Sequence, residues 1–169
     1  NCTYVASQKT GILVDAGFSG KEITRRLESA GIDIAGIGAI CVTHEHDDHK
    51  SALGTLYRKY KIAVYANADT ARAIEESEGL KNVKWNIFST GERFTFGDLA
   101  IDPFSVPHDA YEPVGFIITN GDSRVGIVTD MGMATSLIKE RLKGCDVVVM
   151  ESNHDEAMIK DSRRPWALK

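Results

Sequence analysis

The sequence predicts an α/β protein built as a four-layered αββα sandwich. Three observations predict it: short β-type runs fall into two groups, helical segments follow each group, and some apolar runs are continuous, as in strands covered on both faces. With 169 residues the chain is long enough for one core and is read as one domain, 1–169.

"CTYVAS" and "GILVDAG", joined by "SQKTG", read as an opening hairpin. In "SGKEITRRLESAGI", Ser19 can cap a helix, Glu22 sits three residues on, Ile23 and Leu27 keep helical spacing, and Gly31 is the stop. "IGAICVT" is the most continuous strand signal and ends at Thr43. Helical spacing resumes through "HKSALGTLYRKY", "IAVYAN" returns to strand, and "ADTARAIEESEGL" is a helix ending at Gly79. The second half carries "VKWNIF", "RFTF", "LAIDPFSV", "VGFIITN" and "RVGIVTD", with "NGD" as a tight hairpin turn. A helix "SLIKERLKG" and a last buried strand "CDVVVM" complete the second group.

No apolar run approaches the roughly 20 residues that span a bilayer, so no membrane partner is expected. The net charge of −4 excludes a global basic footprint for nucleic acid, and an anionic substrate must be held by local charge. No secretory signal is legible after Asn1, and Cys2, Cys41 and Cys145 are far apart with no CxxC pair. Free buried thiols in a cytoplasmic protein are the expectation.

"THEHDDH", Thr43 to His49, crowds histidines and acids at the end of the most apolar strand. Such side chains cost free energy to bury unless something compensates them. His44 and His46 are two apart, so on an extended segment they point to one side and can share a metal ion. Asp48 and His49 are displaced towards the next helix and can serve a second ion. A solvated loop capping the helix at Lys50 would suit a lone histidine better than this cluster.

The stretch resembles the H-x-H-x-D-H signature of the metallo-β-lactamase superfamily, whose fold is the sandwich inferred above. That resemblance implies further site residues. Asp15 in "ILVDAG" would orient the site from behind its ligands, His108 in "FSVPHD" would join His44 and His46, and Asp130 in "VGIVTDMG" would bridge two metals. A last histidine should follow "CDVVVM", where only His154 in "MESNHD" is available. Its place matches an acidic strand-end motif instead, so the final ligand is expected beyond Lys169. His154 is then read as a substrate-side or proton-transfer group, with capping of a helix near Asp155 as the alternative. Histidine at position 49, where the commonest β-lactamase subclass has arginine, argues against an antibiotic-degrading enzyme of that subclass.

"NCTYVAS", "ILVDAGFSGKEI", "PFSVPHDAYEPVGF" and "MESNHD" are similar to the bacterial WalJ/YycJ-type branch over nearly the whole chain. That branch implies a cytoplasmic metal-dependent hydrolase acting as a DNA exonuclease, with members extending beyond both ends of this chain. The expected mechanism uses two divalent ions, zinc or manganese, bridged by Asp130 and by a hydroxide that attacks phosphorus. Asp48 would bind the second ion and orient that hydroxide, with Asp15 and Glu45 in support, although Glu45 suits a solvated loop acid slightly better. Arg25, Arg26, Arg58, Lys59, Lys61, Arg163 and Arg164 are candidate phosphate contacts, with solvated helix faces as the alternative, and Trp166 packs or stacks. Two rival readings stand beside DNA: a small-molecule hydrolase of thioesters, lactones or cyclic phosphodiesters, which would need a narrow pocket, and a metal-bound sensing or docking module without turnover.

Overall fold

The computed structural model describes residues 1–78, 80, 82–152 and 155–161. Its strands form two five-stranded sheets. The first has the order β1 (Thr3–Ala6), β2 (Gly11–Val14), β3 (Ile37–Cys41), β4 (Ala63–Ala66), β5 (Trp85–Ile87). The opening hairpin pairs β1 with β2 antiparallel, and β2 to β5 run parallel. The hairpin closes locally: the Ser7 hydroxyl accepts from the backbone N–H of Lys9 and of Thr10, each at 3.0 Å.

The second sheet has the order β10 (Val147–Met150), β9 (Ser123–Val128), β8 (Val114–Asn120), β7 (Leu99–Ser105), β6 (Phe94–Phe96). β6 to β9 are antiparallel neighbours, and β10 joins β9 in parallel. The "NGD" hairpin forms as expected: Asn120 pairs with Ser123, and Gly121 takes φ +56°, which its missing Cβ permits.

Three apolar layers hold the sandwich. Outside the first sheet, Leu13, Ile40 and Val64 pack on Ile23 and Leu27 of α1 (Gly20–Ser29), Leu53 and Leu56 of α3 (Leu53–Tyr60), and Ile74 of α4 (Ala68–Glu78). Between the sheets, Ile12, Val14, Ala39 and Cys41 meet Ile101, Val114, Phe116 and Ile127. Outside the second sheet, Phe104, Ile117 and Val128 pack on Ile138 of α5 (Ser136–Leu142). β2 and β3 are thus buried on both faces, which is why their sequences do not alternate. A short helix, α6 (Glu156–Asp161), follows β10, and Asp155 Oδ1 accepts from the backbone N–H of Met158 at 2.8 Å, capping it.

The four-layered expectation is borne out, with three differences in detail. "VKWNIF" closes the first sheet as β5, against Val64–Ala66, rather than starting the second group. The segment after the histidines is two helices, α2 (Asp47–Lys50) and α3, because the Ala52 N–H is diverted to Ala16 O at 2.8 Å and breaks the helical ladder. Among the described residues "CDVVVM" is an edge strand and not a buried one: Val147, Val148 and Met150 are 54%, 41% and 49% exposed, and Val149 packs towards the inter-sheet layer. A continuous apolar run cannot separate a covered strand from an edge. The expected stop at Gly79 lies outside the described residues.

Ser19 caps α1 as expected, accepting from the Glu22 N–H at 3.2 Å. Arg25 and Arg26 both pair with Glu22 at 2.8 and 2.7 Å, which makes them members of a helix-face ion cluster. The three cysteines are free, and burial pushes the Cys41 thiol upward, away from nucleophilic use. No helix among the described residues is long and apolar enough to cross a membrane.

Candidate metal centre

β2, β3, β7 and β9 all end at the same edge of the sandwich. β8 starts there too, and Val114 N–H donates to Thr43 O at 3.1 Å, tying the second sheet to the end of β3. Side chains leaving these strands therefore converge on one spot between the sheets.

His44 follows β3 and is buried. His46, Asp48 and His49 follow on the turn into α2, and His108 comes from the loop after β7. The rings of His44, His46 and His108 are 4.7, 4.8 and 4.9 Å apart pairwise and lie at 79–81° to one another. His108 Nε2 faces His46 Nδ1 at 3.1 Å. Asp130 Oδ2 is 3.3 Å from His44 Nε2, 3.8 Å from His108 Nε2 and 2.6 Å from His49 Nε2. Asp48 Oδ2 lies 3.5 Å from the same His49 nitrogen.

Two donor sets result: His44, His46, His108 and Asp130, and Asp48, His49 and Asp130, each with its donor atoms within 4.8 Å of one another. Asp130 belongs to both. The cluster could hold a metal ion, and the donor chemistry suits one, since imidazoles with carboxylates match borderline divalent cations. A further observation agrees: His44 Nε2 is buried and has no hydrogen-bond partner, which costs free energy unless a cation takes its lone pair.

Behind the cluster lies a network around Asp15, in which the part of Thr43 was not legible in the sequence. Thr43 donates its backbone N–H to Asp15 Oδ1 at 2.8 Å, and its hydroxyl lies within 2.9–3.0 Å of both Asp15 oxygens. The same hydroxyl is 2.9 Å from His44 Nδ1 and 3.2 Å from His49 Nδ1. Asp15 Oδ2 contacts His49 Nδ1 at 2.8 Å. Asp15 thus touches the back of His49, fixing the ring so that Nε2 points at Asp48 and Asp130. Asp15 and Asp130 have φ of +63° and +50°, left-handed values that are uncommon outside glycine and concentrate at functional sites.

Close packing sets the second group. Ala16 N–H donates to His49 O at 2.7 Å, and a Cβ on Gly17 would fall 1.5 Å from Asp48 O, so only glycine fits. Asn1 Nδ2 contacts His49 Nε2 at 2.8 Å and donates to Asp48 Oδ2 at 3.0 Å. Glu45 is not a solvated loop acid: its Oε1 accepts from Tyr111 N–H at 3.0 Å, tying the His108 loop to the histidine turn.

Electrostatics follow from this crowding. The imidazoles of His44 and then His49, both close to Asp130 Oδ2, hold the Asp130 carboxyl far below the usual carboxylate range. Burial lowers the His49 pKa, but hydrogen bonds to Asp130 and Asp15 outweigh it and raise it to about 9. Burial and then the neighbouring His44 lower His108. Glu151, just after β10, is raised by burial and by its contact with Asp130; no expectation had placed it at the site. His154, Arg163, Arg164 and Trp166 lie outside the described residues.

Histidines and aspartates gathered where the strands of an αββα sandwich end define a metal-binding fold of the metallo-β-lactamase type. The family model described as "Beta-lactamase superfamily domain" matches residues 10–166, and the chain belongs to that family. It is 40% identical over its whole length to Exodeoxyribonuclease YycJ of Bacillus anthracis and 36% identical to Exodeoxyribonuclease WalJ of Streptococcus pneumoniae. The chain spans 64% of the length of each of these relatives. Zn(2+)-bound PqqB from Methylobacterium extorquens shares the fold with a TM-score of 0.75 at 21% identity, covering 93% of this chain and 62% of that one.

Proposed function

We propose that this chain carries the active site of a metal-dependent phosphodiesterase that shortens DNA from an end, in the cytoplasm. The observation that carries the reading is the pair of donor sets sharing Asp130. Relatives named exodeoxyribonuclease, similar along the entire chain, support DNA as the substrate. A groove of about 830 Å³, lined in part by His46 and Asp48, opens beside the cluster and has room for the end of a strand.

His44, His46, His108 and Asp130 would hold one divalent ion, and Asp48, His49 and Asp130 a second. Two such ions, zinc or manganese, supply Lewis acidity that lowers the pKa of water and offsets charge developing on phosphoryl oxygens. The chain's own work is positional. Asp15 and Thr43 lock His49 and His44 from behind, so their outward nitrogens are already aimed and little ordering remains for substrate binding to supply. Asp48, exposed on its outer side, is the carboxylate through which the second set meets solvent and substrate.

The test is cleavage of end-labelled single- and double-stranded DNA by manganese- or zinc-loaded protein, with His46→Ala as the control. The proposal expects stepwise shortening that the substitution lowers by at least about 10³-fold, the range seen when a catalytic group is lost. Intact DNA after incubation with protein shown to carry its metal would refute it.

A further inference from the structure

Tyr111 is 68% exposed, the most exposed aromatic side chain among the described residues. Its loop is nevertheless pinned on several sides. Tyr111 N–H donates to Glu45 Oε1 at 3.0 Å, Asn67 Nδ2 donates to Glu112 O at 2.7 Å, Val106 N–H donates to Pro113 O at 3.0 Å, and Gly132 N–H donates to Pro107 O at 2.9 Å. The backbone that carries this ring is therefore anchored through both neighbours of the metal cluster, with Glu45 between His44 and His46 and the loop itself bearing His108.

The ring lines the 830 Å³ groove together with His46 and Asp48, so the groove runs directly to the donor cluster. That volume lies within the range of small-ligand sites, roughly 300–1,000 Å³. Its charge selects what can enter. Glu45, Asp47, Asp48 and Glu76 line it, and the cation of this lining, Lys50, has its Nζ on Asp47 Oδ1 at 2.7 Å. A phosphate would be drawn to cations at the donor cluster and repelled along the acidic groove. A nucleobase is uncharged and has a flat apolar face, which an anchored aromatic ring accepts whatever the base.

We infer that this groove is the subsite for the terminal nucleoside of the substrate strand, whose base stacks on Tyr111 while the adjoining phosphodiester meets the metal cluster. The inference rests on the phosphodiesterase reading and adds to it a selectivity for an intact, unpaired terminal base.

The experiment has a binding arm and a turnover arm, both with metal-loaded protein. For binding, a single-stranded oligonucleotide carries terminal 2-aminopurine joined by a methylene phosphonate linkage that cannot be hydrolysed. The fluorescence is expected to be quenched by wild type and by Tyr111→Phe, and not by Tyr111→Ala. The alanine variant keeps the backbone bond to Glu45, and an unchanged melting temperature would verify that the loop is intact. For turnover, kcat/KM on single strands ending in a normal nucleotide is compared with that on strands ending in an abasic one. Wild type is expected to favour the normal end by roughly 5- to 150-fold, the span of one base–aromatic stack, mainly through KM, and Tyr111→Ala to treat both ends alike. If wild type degrades DNA but ignores the terminal base, or Tyr111→Ala still quenches, the subsite is wrong and the phosphodiesterase reading stands. If wild type degrades no DNA at all, that reading falls and the subsite with it.

Discussion

Thr43 shows how much of the site rests on one small side chain. Its single hydroxyl touches Asp15, His44 and His49, all of them buried. Thr43→Val keeps the shape and removes the oxygen, leaving the Asp15 carboxylate short of a donor in a dry environment, which typically costs about 1–3 kcal/mol. Urea unfolding should register that loss, and calorimetric titration should show metal affinity falling roughly 10- to 100-fold, the usual effect of losing a group behind a ligand. Thr43→Ser should restore most of both. Unchanged affinity in the valine variant would mean that the network does not orient the ligands. The sequence made His44, His46, Asp48 and His49 legible because their grouping after an apolar strand is local. It hid Thr43 because a threonine ending a strand is ordinary, and its partners Asp15 and His49 lie 28 residues before and 6 after it.

At the scale of elements, the turn after β2 and the short helix α2 act as one packed unit. Ala16 N–H reaches His49 O, Ala52 N–H reaches Ala16 O, and Gly17 lies against Asp48 O. Gly17→Ala must push Asp48 away, because its Cβ would sit 1.5 Å from that carbonyl oxygen. The variant is expected to lose the Asp48 and His49 ion first and keep the three-histidine ion, which metal analysis after dialysis would show as a drop of about one ion per chain. Loss of both ions with a folded circular-dichroism spectrum would contradict this division of the cluster. Strand and helix positions were legible from periodicity, as β2, β3, α1 and α5 show. The sheet to which β5 belongs and the exposure of β10 were not, because both are set by which strands pair across the chain and not by the residues of the run itself.

The whole molecule joins its two sheets where the ligands sit. Val114 N–H to Thr43 O crosses from one sheet to the other, and the donor sets draw on β3, β7 and β9 together. A cation bound there staples the halves. Binding at about 100 times its dissociation constant adds about 2.7 kcal/mol, and for a domain of this size each kcal/mol moves the melting temperature by about 2–4 °C. Chelation should therefore lower the melting temperature by about 5–11 °C, with return on adding zinc or manganese, as differential scanning calorimetry would record. No shift would place the metal outside the fold's stability.

The shared aspartate is the centre of the account, and native mass spectrometry of manganese- or zinc-loaded protein measures its role directly. Wild type is expected to carry two ions per chain, and Asp130→Ala to retain one at most. Two ions retained by the alanine variant, or a single ion in wild type under saturating metal, would contradict a two-ion site built around Asp130.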